Sequence, residues 1–410
     1  MSTEMKVAVV AEFYPSRADP VLGVWAHRQA LAARDAGAEV RVLVLHRLVP
    51  PHSALKGGPA QTARSLRVLL GQPRRETRDG LQVTYIRYLS PPRSGSYHAW
   101  GAWAAPALAL ALRRLQRGFP YGLIHAHNAI PAADAARRAR LKAPLAISVH
   151  GGDVLYTAPR SPAGEAAVRR NLAAASTVLA NSRDIAELAR ERGALDTRIV
   201  HLGADLPDSR RGSSSPPQRR GERAGQTLVT VGHLVARKRH ADVIRALAVL
   251  AKRHPALRYE IVGDGPERGA LQRLAQQLGV AERVVFHGQL PHERAVALAR
   301  GCTLFAMPST EEAFGVAYIE AMAGGVPAIG CRGEPGPEEI AAAGDGFVLV
   351  PPGDIERLTQ RIDELLGDPH RLREASMRAR ETVAANFTWT RCGEQTLAAY
   401  EHALSVGRRQ

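Results

Sequence analysis

The sequence predicts an α/β fold with two doubly wound, Rossmann-like domains. The chain has 410 residues, which is long for one hydrophobic core, so two domains of roughly 200 residues are expected. Short apolar strands alternate with helical segments through both halves, a pattern typical of parallel sheets covered by helices. Between the halves, residues 209–225 have no apolar pattern and are rich in Ser, Pro, Gly and Arg, which predicts a flexible linker.

The first half opens with a strand–helix–strand pattern. Residues 6–11 and 40–45 have the apolar runs of buried strands, and residues 25–36 have helical periodicity that ends at Gly37, a residue suited to a C-cap. This order predicts parallel strands joined by a right-handed crossover. Further strands are predicted at residues 83–88, 122–126, 145–149, 177–180 and 199–202.

The second half repeats the alternation after the linker. Its predicted strands are residues 227–231, 259–262, 284–286, 304–307 and 327–330, and its predicted helices are residues 241–253, 267–278, 292–300 and 316–323. The predicted domains are therefore residues 1–208 and 226–390, followed by a C-terminal segment at 391–410. Because ligands of doubly wound folds bind outside the carboxyl ends of the strands, we expect a cleft between the two domains.

The net charge of +16 is unevenly distributed along the chain. Residues 1–208 contain 28 Lys and Arg against 16 Asp and Glu, whereas residues 225–410 contain 22 of each. This asymmetry indicates an anionic partner, which could be nucleic acid, an acidic glycan or an anionic membrane. The alternative is an arginine-rich coding bias, since only five of the 55 basic residues are Lys.

Cysteine usage and the N-terminal sequence predict a cytoplasmic protein. Cys302, Cys331 and Cys392 are widely spaced and odd in number, so they indicate neither a disulfide framework nor a metal cluster. The first apolar run is too short for a signal peptide. Residues 94–112 carry no charged side chain and include Trp100 and Trp103. An ordinary domain helix is favoured there over an interfacial membrane helix.

The most informative segment is Glu312-Ala-Phe-Gly-Val-Ala-Tyr-Ile-Glu320, in which two carboxylates bracket a glycine. A loop that becomes a helix near Gly315 would offer unpaired backbone N–H groups and the positive end of the helix dipole to a phosphate. Glu320, one to two turns into that helix, could accept two hydrogen bonds from a ribose diol. The alternative is a pair of solvated surface glutamates. The flanking Phe-Gly and Gly-Gly-Val-Pro-Ala-Ile favour the nucleotide-sugar pocket.

This segment, with Pro308-Ser309 before it and Gly325-Val-Pro-Ala-Ile329 after it, resembles the EX7E motif of retaining glycosyltransferases of the GT4 family. Val231-Gly-His-Leu-Val-Ala-Arg-Lys-Arg239 resembles the family's diphosphate loop, and Ser148-Val-His-Gly-Gly-Asp153 resembles its His-Gly-x-Asp pattern. The resemblance covers nearly the whole chain and implies a GT-B fold, with two Rossmann-like domains facing each other across a cleft. It further implies an acceptor-side first domain, a nucleotide-sugar-binding second domain, and a C-terminal helix at 391–410 packed on the first.

The resemblance also implies roles for individual residues. Lys238 and its loop would hold the donor diphosphate, Glu320 the ribose and Glu312 the sugar hydroxyls. His150 would contact the sugar near C6, so the catalytic candidates are His150, Glu312 and Lys238. The positions implied to bind the donor are Gly23, Asp153, Gly232, His233, Arg237, Lys238, Gly263, Gly265, His287, Leu290, Glu312, Phe314, Gly315, Val316 and Glu320.

Two positions depart from the family's phosphate loop. His233 stands where the family usually has arginine, and Arg239 stands where it usually has glycine. Because histidine is not a permanent cation, Arg237 is a candidate for the missing charge. In the first domain only Gly23 stands where the family often has two adjacent glycines, and His27 is a candidate either for facing the acceptor or for packing.

The predicted function is retaining transfer of a hexose-type sugar from a nucleoside-diphosphate sugar to a hydroxyl of a glycan or lipid-linked acceptor, in cell-envelope polysaccharide or glycolipid synthesis. The sequence contains no Asp-x-Asp pair, so transfer without a metal is predicted, and no cofactor is expected besides the donor. Peripheral contact with an anionic membrane stays an open alternative, and no nucleic-acid partner is expected. The alternatives are a nucleotide-sugar epimerase or hydrolase on the same fold, and an inactive anion-binding relative.

Overall fold

The computed structural model describes residues 5–207 and 226–407, which form two compact α/β units. The first unit contains the chain up to Leu202 together with the segment from Trp389 onward, and the second runs from Gly203 to Thr388. The predicted linker at 209–225 lies outside the described residues.

The first unit is built on an eight-stranded sheet. Its strands are β1 (Met5–Ala11), β2 (Ala38–Arg47), β3 (Arg75–Arg78), β4 (Leu81–Tyr88), β5 (Leu123–His127), β6 (Leu145–Val149), β7 (Thr177–Ala180) and β8 (Thr197–Ile199). Their order is β3-β4-β2-β1-β5-β6-β7-β8, and every neighbouring pair is parallel except β3 with β4. Its helices are α1 (Val24–Asp35), α2 (His52–Lys56), α3 (Pro59–Leu70), α4 (Arg93–Ser96), α5 (Trp100–Gly118), α6 (Asp134–Arg138), α7 (Pro162–Ala173), α8 (Arg183–Glu191) and the C-terminal α16 (Trp389–Gly407).

The second unit is built on a six-stranded, wholly parallel sheet in the order β11-β10-β9-β12-β13-β14. The strands are β9 (Thr227–Val231), β10 (Arg258–Val262), β11 (Val284–Gly288), β12 (Leu304–Ala306), β13 (Ala328–Cys331) and β14 (Phe347–Val350). The helices are α9 (His240–Leu250), α10 (Arg268–Gln277), α11 (His292–Arg300), α12 (Val316–Ala323), α13 (Pro335–Ala343), α14 (Ile355–Gly367) and α15 (Pro369–Asn386).

Burial on both faces explains why the central strands do not alternate between buried and exposed residues, although β5 includes His125 and His127 and β6 includes Ser148. All five residues of β5 and of β6 are buried, as expected for parallel strands that are covered on both faces. Fully burying one Val, Leu or Ile side chain stabilises the fold by about 1.5–3 kcal/mol relative to exposure. Each unit has its own core cluster, one around Val9 and Val42 and the other around Ile261 and Leu304.

Helix α16 is an integral part of the first unit, although it is the last element of the chain. Tyr400 is fully buried in the first core, and its hydroxyl lies 2.7 Å from Nδ1 of His125 on β5. Gln29 on α1 donates a hydrogen bond of 3.2 Å from Nε2 to Oγ1 of Thr396. A side chain at Gly393 would overlap the backbone of α1 at Ala32, so glycine allows the two helices to approach closely.

The observed elements differ from the predictions mainly at the sheet edges. The strand predicted at 199–202 lies at Thr197–Ile199, because the edge strand β8 pairs through the polar residues Thr197 and Arg198. The antiparallel edge strand β3 and the four-residue strand β14 were not predicted. The sequence of β3 is polar and lacks the apolar signal that marks the central strands, whereas β14 is apolar throughout and carries that signal.

Helix α5 contains the two tryptophans of the uncharged stretch at 94–112. Trp100 is only 4% exposed and packs beneath the guanidinium of Arg47, whose Cζ lies 4.4 Å from the ring centroid. The burial of Trp100 agrees with the favoured interpretation of this stretch as a domain helix, whereas Trp103 is 54% exposed. In the part of the chain that the structure describes, no helix has the length and apolar character needed to cross a bilayer.

Candidate functional site

The second unit brings two loops together at the point where its strand order reverses. Strands β9 and β12 are neighbours in the sheet, but the chain proceeds from β9 toward one edge and from β12 toward the other. The loops after them, residues 232–239 and 307–315, therefore meet at the carboxyl edge where doubly wound folds bind ligands. A backbone hydrogen bond of 2.8 Å from Thr310 N to Arg237 O joins the two loops.

Lys238 from the first loop and Glu312 from the second form an ion pair at this junction. Both side chains are only 11% exposed. Oγ of Ser309 also donates to Glu312 Oε2, at 3.0 Å. Burial by itself raises the pKa of Glu312. The charge and hydrogen bond of Lys238 lower the pKa by more than burial raises it, so the pKa lies below its usual value. Glu312 is consequently held as a carboxylate, already matched to a cation.

The backbone of Glu312 is fixed from its other side by the start of α13. Its N–H donates to Glu334 Oε2 at 2.8 Å, and its carbonyl accepts from Gly336 N at 3.0 Å. A side chain at Gly336 would overlap the backbone of Phe314, so glycine allows this contact. The carboxylate is thus positioned by backbone contacts as well as by Lys238.

Helix α12 begins beside this pair, as the sequence predicted. Gly315 precedes it with a φ of 86°, and no side chain caps its first turn. Since the first N–H groups of a helix lack internal partners, this terminus suits a phosphate. A side chain at Gly315 would overlap the ring of Tyr318, which hydrogen-bonds to Ser309 at 3.1 Å. Val316 is half-buried at the first helical position.

The glycines of the neighbouring turns allow backbone to pack directly on backbone. A side chain at Gly263 would overlap the carbonyl of Gly232, and one at Gly265 would overlap the backbone of Leu234. Gly263 N also donates to Gly288 O at 2.9 Å. These contacts shape the loop after β9, and direct donor contact at Gly232, Gly263 and Gly265 stays a prediction.

His233 and Arg239 occupy specific positions in the phosphate loop. His233 is exposed, and its Nδ1 donates to the carbonyl of Asp264 at 2.8 Å, so its Nε2 can donate only after gaining a second proton. Arg239 adopts the left-handed conformation, with φ 54° and ψ 34°, and its Nε lies 2.6 Å from Asp242 Oδ2. This backbone conformation explains why glycine suits the position of Arg239.

Other predicted donor contacts have protein partners. Glu320 Oε1 lies 2.6 Å from His292 Nε2, while its Oε2 has no hydrogen-bond partner within residues 5–207 and 226–407. His287 Nε2 lies 2.6 Å from Glu260 Oε2, and Leu290 is half-buried. Phe314 is 2% exposed and packs edge-on against Phe387, so its side chain belongs to the core.

The first unit places three histidines together near the carboxyl ends of β5 and β6. His127 Nδ1 lies 3.0 Å from His150 Nε2, and the two rings stack with centroids 5.2 Å apart. Burial lowers the pKa of His150 to about 4 and holds the pKa of His127 well below its usual value, so both imidazoles are neutral near pH 7. His125 hydrogen-bonds to Tyr400 and to Ser148, which satisfies both of its nitrogens.

The stacked pair leaves one buried N–H unused. Each neutral imidazole carries one proton, and the 3.0 Å contact uses only one of the two protons. The remaining nitrogens, His127 Nε2 and His150 Nδ1, have no partner among the described residues. If His127 donates to His150, then His150 Nδ1 must carry the unused proton, which makes it a donor available to a ligand.

The side chain of Asp153 is buried, and its carboxylate binds the backbone of the turn after β5. It is 1% exposed and accepts from the backbone of Ala129 at 3.0 Å and of Ile130 at 3.3 Å. Burial raises its pKa to about 6 despite these hydrogen bonds. Asp153 thereby fixes the turn after β5, next to His127, and its contact with the donor stays a prediction.

The loop between β1 and α1 is held by Gly23 and His27. Gly23 has a φ of 75°, and a side chain there would overlap the backbone of Phe13. His27 is 5% exposed, with Nδ1 2.6 Å from the hydroxyl of Tyr14 and Nε2 2.7 Å from Asp79. Both ring nitrogens of His27 are therefore engaged by Tyr14 and Asp79 and do not face an acceptor substrate.

Sequence reasoning assigned no role to three polar residues that organise these sites, Ser309, Glu334 and His292, and it did not pair His127 with His150. Ser309 follows Pro308 inside the recognised motif, so its hydroxyl was a visible signal. His292 and Glu334 meet their partners only through the sheet order, and no local pattern reveals them. In the described parts of both units, no group of three or more His, Cys, Asp or Glu residues is placed to hold a metal ion.

Both units thus carry polar side chains at the carboxyl edge of a doubly wound sheet, and the second combines a cation, a carboxylate and an uncapped helix start. This edge is where doubly wound α/β proteins bind ligands, and the combination suits an anion. A family model described as glycosyl transferases group 1 matches residues 217–382, and one described as a glycosyl transferase 4-like domain matches residues 22–204. The chain belongs to this GT4-type family and is a glycosyltransferase.

Individual proteins agree with this assignment. D-inositol 3-phosphate glycosyltransferase of Nocardia farcinica is 32% identical over 324 residues, which span 73% of this chain and 71% of that protein. A protein of Bacillus subtilis named as a putative teichuronic acid biosynthesis glycosyltransferase is 28% identical over 394 residues, 93% of this chain and 95% of its own. The solved structure of Anabaena HepE with UDP and glucose has a TM-score of 0.70 at 21% identity, covering 96% of this chain and 98% of that one. Similarity of this kind shows the GT-B fold.

Proposed function

We propose that this glycosyltransferase takes a hexose-type sugar from a nucleoside-diphosphate sugar, retains the configuration at the anomeric carbon and uses no metal ion. The observation that carries the proposal is the junction of the loops after β9 and β12, where Lys238 and Glu312 meet beside the uncapped start of α12. A cation and free N–H groups suit a diphosphate, and a buried carboxylate suits sugar hydroxyls.

In the proposed reaction, the bond between the anomeric carbon and the diphosphate oxygen breaks, and the diphosphate leaves with the bonding electron pair. Lys238 and the first N–H groups of α12 stabilise the charge that develops on the leaving group. The oxygen of an acceptor hydroxyl bonds to the anomeric carbon on the same face, and its proton passes to the departing diphosphate. Glu320 Oε2, which lacks a partner among the described residues, is proposed to accept from the ribose.

His150 is proposed to orient the sugar as a neutral hydrogen-bond donor. Burial lowers its pKa to about 4, so it does not carry positive charge into the site near pH 7. The unused proton of the His127–His150 pair provides a donor for a sugar hydroxyl. An unsatisfied buried donor costs about 1–3 kcal/mol, and a ligand that accepts from it would remove that cost on binding.

The relatives support a donor and acceptor of this kind. HepE was solved with UDP and glucose, and the relatives are named for an inositol phosphate and for teichuronic acid biosynthesis. We therefore propose a hydroxyl of a glycan or lipid-linked molecule as the acceptor, in synthesis of an envelope polysaccharide or glycolipid.

The test is a thermal-shift panel of UDP-, GDP- and ADP-sugars on the wild type and on Lys238→Ala. A ligand that binds only the folded state at one hundred times its Kd stabilises that state by about 2.7 kcal/mol. We expect one nucleotide class to raise the Tm of the wild type and to have little effect on Lys238→Ala. The matched control is Lys252→Ala, an exposed lysine in the same unit, which should respond like the wild type.

Four measurements separate the proposal from its alternatives. Activity that EDTA abolishes and Mn²⁺ or Mg²⁺ restores would contradict metal-independent transfer. Release of free sugar or of an epimer, without any acceptor product, would favour the hydrolase or epimerase. Unchanged nucleotide-sugar binding in Lys238→Ala would favour an anion-binding relative. The anomeric configuration of the product, read from its proton coupling constant, tests retention.

Peripheral membrane contact through α3 is also proposed, because this helix has the charge and apolar groups that an anionic bilayer binds. Residues 40–75 contain seven Lys and Arg and no Asp or Glu. Helix α3 has no buried residue, and it exposes 47% of Val68 and 53% of Leu70 next to Arg64 and Arg67. Flotation with phosphatidylserine vesicles should decrease in high salt and in Arg64→Gln/Arg67→Gln. Flotation that is absent, or unaffected by salt, would contradict the proposal.

A further inference from the structure

The first unit has its own reversal of strand order, between β1 and β5. The chain proceeds from β1 to β2 and β4 on one side, and from β5 to β6 and β7 on the other. Glu12 is the first residue after β1, and the turn after β5 contains Ile130. Glu12 thus lies at the position where a doubly wound sheet characteristically binds a ligand. The mechanism proposed above does not use it.

Glu12 has one carboxylate oxygen engaged and one available. The hydroxyl of Tyr97 donates to Glu12 Oε2 at 2.7 Å, and the same hydroxyl lies 3.2 Å from Ile130 O. Glu12 Oε1 has no hydrogen-bond partner within the described residues, and the side chain is partly exposed. Tyr97 therefore holds the carboxyl in place while one oxygen remains accessible to a ligand.

Arg93 supplies a cation over the ring of Tyr97. Its Cζ lies 4.1 Å from the centroid of the Tyr97 ring and 5.6 Å from that of Phe13. Its N–H groups form no hydrogen bond or ion pair with the described residues, and the side chain is exposed. Stacking on aromatic rings fixes the plane of a guanidinium and leaves its edge N–H groups free for an anion.

Aromatic rings extend from Arg93 toward His150. Phe13 lies 6.4 Å from Trp25 between ring centroids, and Trp25 lies 6.2 Å from His150. The partly exposed faces of Phe13 and Trp25 could pack against the apolar face of a sugar or cyclitol ring. The surface between Glu12 and His150 is thus polar at its ends and aromatic in its middle.

The protonation of Glu12 is sensitive to this surrounding. Burial raises its pKa to about 7, the charges of Arg93 and Arg47 and the Tyr97 hydrogen bond oppose that increase, and the charge of Asp153 adds to it. Near neutral pH the carboxyl is therefore close to its midpoint.

We propose that Glu12 and Arg93 form an acceptor subsite for a polyol that carries a phosphate or carboxylate close to a hydroxyl. Arg93 binds the anion, and Glu12 Oε1 hydrogen-bonds to a hydroxyl of the ring that packs on Phe13 and Trp25. The inference rests on the proposed glycosyltransferase function and specifies its acceptor. A free acidic sugar and a phosphorylated lipid headgroup share this chemistry.

The test measures binding of glucose, glucuronate and glucose 6-phosphate by calorimetry. We expect both anions to bind at least about tenfold more tightly than glucose, since charge-assisted hydrogen bonds are about twice as strong as neutral ones. Arg93→Gln should remove the preference for the anions, and Glu12→Gln should lower the affinity for all three sugars. The matched control is Glu187→Gln, an exposed glutamate on α8. UDP affinity should be unchanged in every variant.

A pH series tests whether Glu12 contacts the ligand or only supports the structure of the subsite. Glucuronate stays ionised between pH 6 and pH 8, so pH-dependent binding in the wild type that becomes flat in Glu12→Gln would support titration of Glu12. If Glu12→Gln fails to fold, the exposed Arg93→Gln and the conservative Tyr97→Phe provide the same test. Vesicles of phosphatidylinositol, compared with phosphatidylcholine, distinguish a lipid headgroup from a free sugar.

The result that overturns the subsite is equal binding of glucose and glucuronate by the wild type, or equal affinities in the wild type, Arg93→Gln and Glu12→Gln. Either result with an intact nucleotide-sugar thermal shift contradicts the subsite alone. Loss of the thermal shift itself would instead contradict the proposed donor, so the two failures are distinguishable.

Discussion

The burial of the Lys238–Glu312 ion pair allows a quantitative prediction of its contribution to stability. Both side chains are 11% exposed, so the pair belongs with buried ion pairs rather than with surface pairs, which contribute about 0–1 kcal/mol. Removing one partner of a buried pair leaves an uncompensated charge and costs about 3–5 kcal/mol. We therefore expect Lys238→Met and Glu312→Gln each to lower the free energy of unfolding by about that amount. The double variant, which leaves no unpaired charge, should lose less than either.

Urea unfolding measures the free energies of unfolding. The direction in which these free energies change with pH is an independent test. In the wild type the pKa of Glu312 is lowered, so its stabilisation is present above the usual carboxyl pKa and is lost as pH falls through the folded-state value. In Lys238→Met burial acts without the lysine and raises the pKa of Glu312. Acidification should then protonate the buried carboxylate and restore stability. The stability difference between wild type and Lys238→Met should therefore shrink as pH falls.

The control for this cycle is an exposed pair in the same unit. Arg378 and Glu381 lie 3.2 Å apart with side chains 52% and 64% exposed, so Arg378→Met should change stability by less than about 1 kcal/mol. Losses below about 1 kcal/mol in both single variants of the buried pair would refute the reasoning. A double variant that loses the sum of the two single losses would refute it as well, because it would show no coupling between the charges.

Three further predictions concern single residues. His233→Arg should tighten nucleotide-sugar binding by about tenfold in calorimetry, since it replaces a conditional donor by a permanent cation; weaker binding would contradict a phosphate contact there. Arg239→Gly should change the free energy of unfolding by no more than about 1 kcal/mol, because relief of the left-handed backbone offsets the lost contact with Asp242; a loss above about 2 kcal/mol in urea would show another role. The pKa of His150 is lowered to about 4, so its contribution is complete above the usual histidine pKa of about 6.5 and is lost toward pH 4. The difference in Tm between the wild type and His150→Gln should follow that window, and a constant difference from pH 7 to pH 5 would contradict it.

Local sequence was sufficient for the central strands and for the start of α12. Runs such as 145–149 and 227–231 are mostly apolar because their central residues are buried on both faces of the sheet, so their signal lies in the segment itself. Gly315 marked the beginning of α12 because only a residue without a side chain fits its positive φ beside Tyr318. The edge strands β3 and β8 were missed or misplaced because edges tolerate polar residues.

The partnerships within the sites could not be predicted in this way. Lys238 and Glu312 are 74 positions apart, and only the adjacency of β9 and β12 brings them together. The family resemblance implied a donor contact for Asp153, whereas the structure shows its carboxylate bonded to the backbone N–H of Ala129. A motif shows which residue types occur at a strand end, whereas the sheet order decides what each side chain contacts.

Helix α16 has a consequence for biosynthesis. The first unit needs Tyr400 and Thr396, which contact His125 and Gln29, yet the whole second unit is translated between these partners. At about 5–20 residues per second, the ribosome needs on the order of ten seconds or more to pass from Gly203 to Thr388. During that time we expect the surface of the first unit that packs against α16 to be exposed, so chaperones can bind it. The second unit, by contrast, can complete its core while the final helix is still being made.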